Sequence, residues 1–98
     1  MSVEHITPAG GNIFADLGFP REEAENLKLR SSLMIAIEKI ITERGLRQTE
    51  AAELFGVSQP RISDLVRGKF DVFTIDSLVN MLAHAGFQVK LSIEAAAA

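Results

Sequence analysis

The sequence contains no cysteine, no tryptophan and no tyrosine, and only three prolines. Without thiols there is neither a disulfide framework nor a thiolate metal site, which suits a reducing compartment, so the expected location is the cytoplasm. No run of about 18 apolar residues occurs, so no membrane span is expected, and the first residues lack the basic start and apolar stretch of a secretion signal. Catalytic constellations are missing too. The two histidines, His5 and His84, lie far apart in the chain. No Ser-His-Asp set, paired buried carboxylates, phosphate-cradling glycine loop or ligand-spaced cluster accompanies them. Enzyme chemistry, metals and cofactors therefore have no candidate residues, and both histidines are expected at the surface.

What is present is enough for one core. Of the 98 residues 47% are apolar, which matches a single domain with short tails. The net charge of −3 argues at first against nucleic acid, because Lys and Arg drive phosphate binding. Its distribution reverses that reading. Residues 1–43 carry seven acids against four bases, residues 44–70 three against five, and residues 71–98 three against one. The basic middle segment, with Arg44, Arg47, Arg61, Arg67 and Lys69, is what a phosphate backbone senses at Debye-length range.

The first twenty residues are punctuated by Thr7-Pro8, Gly10-Gly11, Gly18 and Pro20, which predicts an extended arm. Ile13, Phe14, Leu17 and Phe19 within it point to docking, either on the chain's own domain or on a partner. From residue 21 the pattern turns helical. Pro20 can start a helix, and Glu22, Glu23 and Glu25 complement its dipole. Leu29, Leu33, Ala36, Ile37, Ile40 and Ile41 recur at helical spacing up to Arg44 and Gly45. Thr74 caps a later helix over 75–85 with Leu78, Val79 and Leu82 facing inward, and Met34 and Met81 read as core filler. Residues 87–94 alternate apolar and polar, the pattern of a half-buried strand. A strand needs a ladder neighbour, and either the arm or a second subunit can supply it; the second subunit is favoured, which makes a homodimer. Residues 95–98 form a tail without chemistry.

Between these elements lie two short helices, 48–55 and 59–67, separated by Gly56-Val57-Ser58. Read as two helices meeting at a steep angle, each special position has a reason. Ala52 permits close approach, Gly56 supplies a left-handed turn, and Val57, Ile62 and Leu65 point into the core. Ser58 caps the second helix and Pro60 fits its first turn. Gln59, Pro60, Arg61, Ser63, Asp64 and Arg67 stay outward, where base edges are read; Gln pairs with adenine and Arg with guanine. Gln48 opens the first helix, where its side chain and the local amides can hold a phosphate. Arg67 and Lys69 are better placed for phosphates than for bases.

Gln48, Ala52, Gly56, Val57, Ser58, Ile62, Ser63, Leu65 and Gly68 fall in the spacing of the XRE family, the helix-turn-helix group of Cro and lambda-type repressors, which this segment resembles. That resemblance implies that Gln48 and Gln59 cooperate at a phosphate and an adenine. Asp64 departs from the pattern, standing where a small or neutral base-contacting residue is usual. A wider resemblance takes in residues 11–19, the helix 21–44, the motif 48–68 and residues 73–78. It is to HigA-type antitoxins, encoded beside RelE or HigB-like toxins. It implies a dimer that binds its own operator and sequesters an mRNA-cleaving toxin.

The resulting expectation is an all-α, lambda-repressor-like helix-turn-helix bundle of four to five helices with one C-terminal β-strand pairing across a dimer. The DNA-binding residues are Gln48, Ser58, Gln59, Pro60, Arg61, Ser63, Arg67 and Lys69. Its partners are a double-stranded operator with an inverted repeat, a second copy of the chain and a RelE/HigB-like toxin, with no membrane. A stand-alone repressor without a toxin, or an interaction module that has lost DNA binding, uses the same fold.

Overall fold

The computed structural model describes residues 12–95. Five helices follow in order: α1 (Ile13–Asp16), α2 (Arg21–Glu43), α3 (Gln48–Phe55), α4 (Gln59–Val66) and α5 (Ile75–His84). A 3-10 turn, Phe70–Val72, lies between α4 and α5. The ends of α2 to α5 fall within a residue or two of the bounds expected from capping residues and periodicity.

Local chemistry explains those ends. Glu22 and Glu23 occupy the first turn of α2, opposite the positive end of its dipole. At its other end the Leu46 amide donates to the Ile41 carbonyl at 3.0 Å and the Gly45 amide to Thr42 at 3.1 Å. This double closure satisfies carbonyls that the helix leaves open. The remaining helices close in the same manner, each at a glycine. Thr74 and Ser77 cap α5 reciprocally, with the Ser77 amide donating to Thr74 Oγ1 at 3.1 Å and the Thr74 amide to Ser77 Oγ at 3.0 Å. At the start of α3 the Glu50 carboxylate accepts from the Arg47 amide at 2.9 Å and from its guanidinium at 3.3 Å. These bonds, the backbone one foremost, hold the Glu50 carboxyl below the ordinary glutamate range.

α2 is the spine of the core. Its Ile37 is fully buried and, with Leu33, Met34, Ile40 and Ile41, packs in one cluster with Phe55, Ile62, Leu65, Leu78 and Leu82 from α3, α4 and α5. Phe73 and Phe87 close the cluster at the two ends of α5. Met34 and Met81 are buried within it, as their place on apolar faces suggested. No polar or charged residue is buried among the described residues, so the core rests on apolar burial alone.

Four expectations change. Residues 12–20 are not extended: Asn12 accepts from the Phe14 amide at 3.0 Å and nucleates the single turn α1. Phe14 then packs edge-on against Phe19 and Phe70, at 6.0 and 5.7 Å between ring centres, so this part of the arm docks on its own domain. Residues 1–11, the remainder of the arm, lie outside the described residues. The expected strand over 87–94 does not form: Phe87 is buried, but Val89, Leu91 and Ile93 are 41, 72 and 87% exposed, and among the described residues no second strand offers a ladder. Leu29 is exposed on α2 rather than inward. Ser58 begins α4 without a capping bond to its hydroxyl, because Pro60 has no amide hydrogen to donate and the Arg61 amide turns to the Ser58 carbonyl instead, at 3.1 Å. Among the described residues no helix is long and apolar enough to cross a membrane.

Two measurements follow from this packing. Leu78→Ala removes a fully buried side chain, and we expect a loss of about 2–5 kcal/mol in denaturant unfolding; a loss under 1 kcal/mol means the core lies elsewhere. The lowered Glu50 carboxyl contributes stability that is fully present above the ordinary glutamate range and is lost as pH falls from there through its lowered folded-state value. Wild type should therefore exceed Glu50→Gln at neutral pH and converge with it in acid. A gap that persists unchanged in acid contradicts the assignment.

Candidate nucleic-acid interface

The basic middle segment folds into α3, α4 and the turn that joins them. Gly56 ends α3 at φ +68, a left-handed conformation in which a side chain costs about 1–2 kcal/mol. The Val57 amide donates back to Ala52 at 3.0 Å, and the chain then enters α4 at Ser58. Ala51 is fully buried and Ala52 nearly so, which keeps this end of α3 close to the core.

Burial of Ile62 and Leu65 fixes the rotation of α4 about its own axis. Pro60, Ser63, Asp64 and Arg67, spaced three and four apart, therefore form the outward stripe. Gln59, at the first helical position, is exposed beside them, and Gln48 is exposed at the first position of α3. Neither glutamine makes a side-chain hydrogen bond among the described residues, nor does the Ser58 hydroxyl. Three neutral polar groups thus stand ready at the starts of the two helices.

Arg61 is placed differently. It stands four residues before Leu65, on the flank of the buried face, and its Nη1 donates to the Val72 carbonyl at 2.9 Å. Its guanidinium also lies 5.5 Å from the centre of the Phe73 ring. Beneath it is a cleft of about 200 Å³ between α4 and α5. The structure thus gives Arg61 an internal task, and the outward stripe does not include it.

The other cations can be assigned in the same way. Arg44 lies over the Phe87 ring at 5.2 Å. Arg47 is engaged by Glu50, and Lys69 pairs with Asp64 at 3.7 Å. That last pair accounts for Asp64: it neutralises the lysine that follows α4 and lies on its own helix's stripe. Both partners are partly exposed, so the pair is weak and yields readily to a stronger anion. Of the five cations in this segment, Arg67 alone has no intrachain partner among the described residues.

One contact was invisible in the sequence. His84, expected on an outer surface, reaches across from the last turn of α5, and its Nδ1 lies 3.0 Å from the Leu54 carbonyl. Its ring covers Gly56 so closely that a Cβ there would stand 2.9 Å from three ring atoms. No local spacing predicts this, since the two residues meet only once α5 has packed against α3.

A family model described as a helix-turn-helix domain matches residues 13–94, most of the described chain. The chain belongs to this helix-turn-helix family. A comparison with curated proteins gave no match. Helix-turn-helix domains are those of DNA-binding regulators, and in this one α3 and α4 are the paired helices, with α4 in the position of the recognition helix. The matched residues also take in α1 and the segment after α5.

The unpaired state of Arg67 can be tested by salt. Its replacement by alanine should flatten the slope of log affinity against log salt for a duplex by about 0.9, the loss of one phosphate contact. Fluorescence anisotropy titrations at several salt concentrations measure it. An unchanged slope removes Arg67 from the interface.

Proposed function

We propose that the chain is a sequence-specific double-stranded DNA-binding autorepressor that acts as a homodimer. The observation that carries this reading is the outward stripe of α4, polar and framed by Gln48, Ser58 and Gln59 at the helix starts and by Arg67 and Lys69 at the end. Gln59, Pro60 and Ser63 read base edges in the major groove, and Gln48, Ser58, Arg67 and Lys69 hold the flanking phosphates. Arg61 joins the base readers when its guanidinium leaves the Val72 carbonyl, a move of one exposed side chain. The reading is of a binding protein without a cofactor and not of an enzyme.

Exposed Val89, Leu91 and Ile93 support the dimer: alternating along a segment with no ladder among the described residues, they match a strand that pairs with a second copy. Two recognition helices about 34 Å apart then enter successive major grooves of an inverted repeat. We further propose that the chain is the HigA-type antitoxin of a type II pair with a RelE/HigB-like toxin, on the resemblance of residues 11–19, 21–44 and 73–78. Ile13 and Leu17, exposed on α1 while Phe14 is packed inward, are the apolar residues such a partner can cover.

Selection from a random duplex pool gives the operator, and footprinting measures its symmetry. Arg61→Ala and Gln59→Ala should each weaken binding to that operator by about 1–3 kcal/mol while leaving affinity for unrelated duplex nearly unchanged. Equal losses on both duplexes would make the two residues phosphate contacts, and no loss would remove them from the interface. Co-expression with the product of the adjoining reading frame tests the antitoxin assignment. Failure to co-purify a toxin leaves a stand-alone repressor.

A further inference from the structure

We infer that His84 is a positioning residue for DNA reading, a latch by which α5 sets the turn between α3 and α4. The inference rests on the DNA-binding reading above. A carbonyl oxygen can only accept, so the 3.0 Å contact requires that His84 Nδ1 carry the proton and donate to Leu54. Leu54 belongs to the last turn of α3, where carbonyls lack helical donors and a side-chain donor is most useful. The second half of the latch is steric. A Cβ built on Gly56 would lie at the same 2.9 Å from Cγ, Cδ2 and Cε1 of His84, so the glycine faces the flat of the ring. The absence of a side chain at Gly56 thus serves two ends: it permits the left-handed turn and it admits the ring.

The contact joins residues thirty apart in sequence at the point where the direction of α4 is decided. Only Val57 separates Gly56 from Ser58, Gln59 and Pro60, so a small rotation at the turn displaces these residues together. Elsewhere α4 is held by Ile62 and Leu65 in the core, which restrain its depth but leave the approach of its first turn to the loop. His84 is itself exposed, so its removal leaves no cavity in the core.

The test separates positioning from stability. Asparagine carries an amide nitrogen where histidine has Nδ1, whereas glutamine places its amide one bond further out. His84→Ala, His84→Asn and His84→Gln are compared with wild type on the operator selected by the wild type and on a scrambled duplex, at a temperature where circular dichroism finds each folded. The expected result is a loss of about tenfold in operator affinity for alanine and glutamine, the scale of one hydrogen bond, with affinity for the scrambled duplex unchanged and most of the loss recovered by asparagine. Hydrogen exchange provides a readout that needs no DNA: the Val57 amide should exchange faster in His84→Ala, with α2 unaffected, and slow again in His84→Asn. Alanine equal to wild type in both readouts, or glutamine equal to asparagine, overturns the latch. A wild type that enriches no sequence, with the exchange pattern as expected, overturns the DNA reading and leaves the latch as a property of the fold.

Discussion

The burial of Ile62 and Leu65 in the cluster that also holds Ile37 of α2, Phe55 of α3 and Leu78 and Leu82 of α5 is the contact on which the rest of the molecule depends. It is apolar, without direction of its own, yet it decides an orientation. A helix of eight residues has two turns and little stability in isolation, so α4 exists because one face is sunk in the core. Which residues then face outward follows by elimination. The outward stripe is thus the complement of the core, and any substitution that rotates the buried pair also rotates the surface offered to a ligand.

Charge is handled with the same economy. A chain of net −3 can hold a polyanion only if its cations are gathered, yet gathering them creates repulsion and competes with internal uses. Two arginines are spent on the loop between α4 and α5: Arg30 donates to the Phe70 carbonyl at 3.1 Å and Arg61 to Val72 at 2.9 Å, gripping the 3-10 turn from opposite helices. Among the described residues the Phe70 carbonyl has one backbone donor, the Phe73 amide at 3.4 Å, and the Val72 carbonyl none, so a guanidinium with several donors suits them. Arg44 and Arg47 are occupied by Phe87 and Glu50. What remains for an external anion is concentrated after α4, where Arg67 is unpaired among the described residues and Lys69 is held only by a partly exposed carboxylate.

Much of this was legible in the residues. The helices from α2 onward were readable because their signals are local: Pro20 and its acidic turn, Thr74 before α5, and glycines at the stops. The two-helix motif was readable because several small and apolar positions had to agree at once. What escaped were contacts made at a distance. Nothing near Arg61 marks it as a clamp on Val72, and its type and position favoured an outward role. His84 occupies a helix position that periodicity assigns to solvent, and it is indeed exposed; only the approach of α3 gives it a partner. The short α1 was hidden because proline and glycine dominate its surroundings, while Asn12 supplies the cap that starts one turn. The expected strand over 87–94 is absent from the single chain for a different reason. Alternation reports which side chains seek burial, and no ladder partner lies within the described residues.

That unpaired alternation bears on how reading and assembly are joined. α5 ends at His84, and after Ala85 and Gly86 the chain continues into Phe87, which is buried under Arg44, and then into exposed Val89, Leu91 and Ile93. The segment proposed to pair with a second copy therefore leaves the domain three residues beyond the side chain that touches the turn before α4. Pairing would fix the direction of that segment, and Phe87, wedged between core and guanidinium, would carry that direction back to the last turn of α5 more stiffly than an exposed linker could. His84 sits on that same turn, so in the proposed dimer the spacing of the two reading heads and the angle of each head against its groove would share one mechanical origin. A dimer built this way does more than place two helices at the right distance. It would also set the turn at Gly56 in the same act, and the specificity of the pair would then be a property of the assembled surface and not of either helix alone.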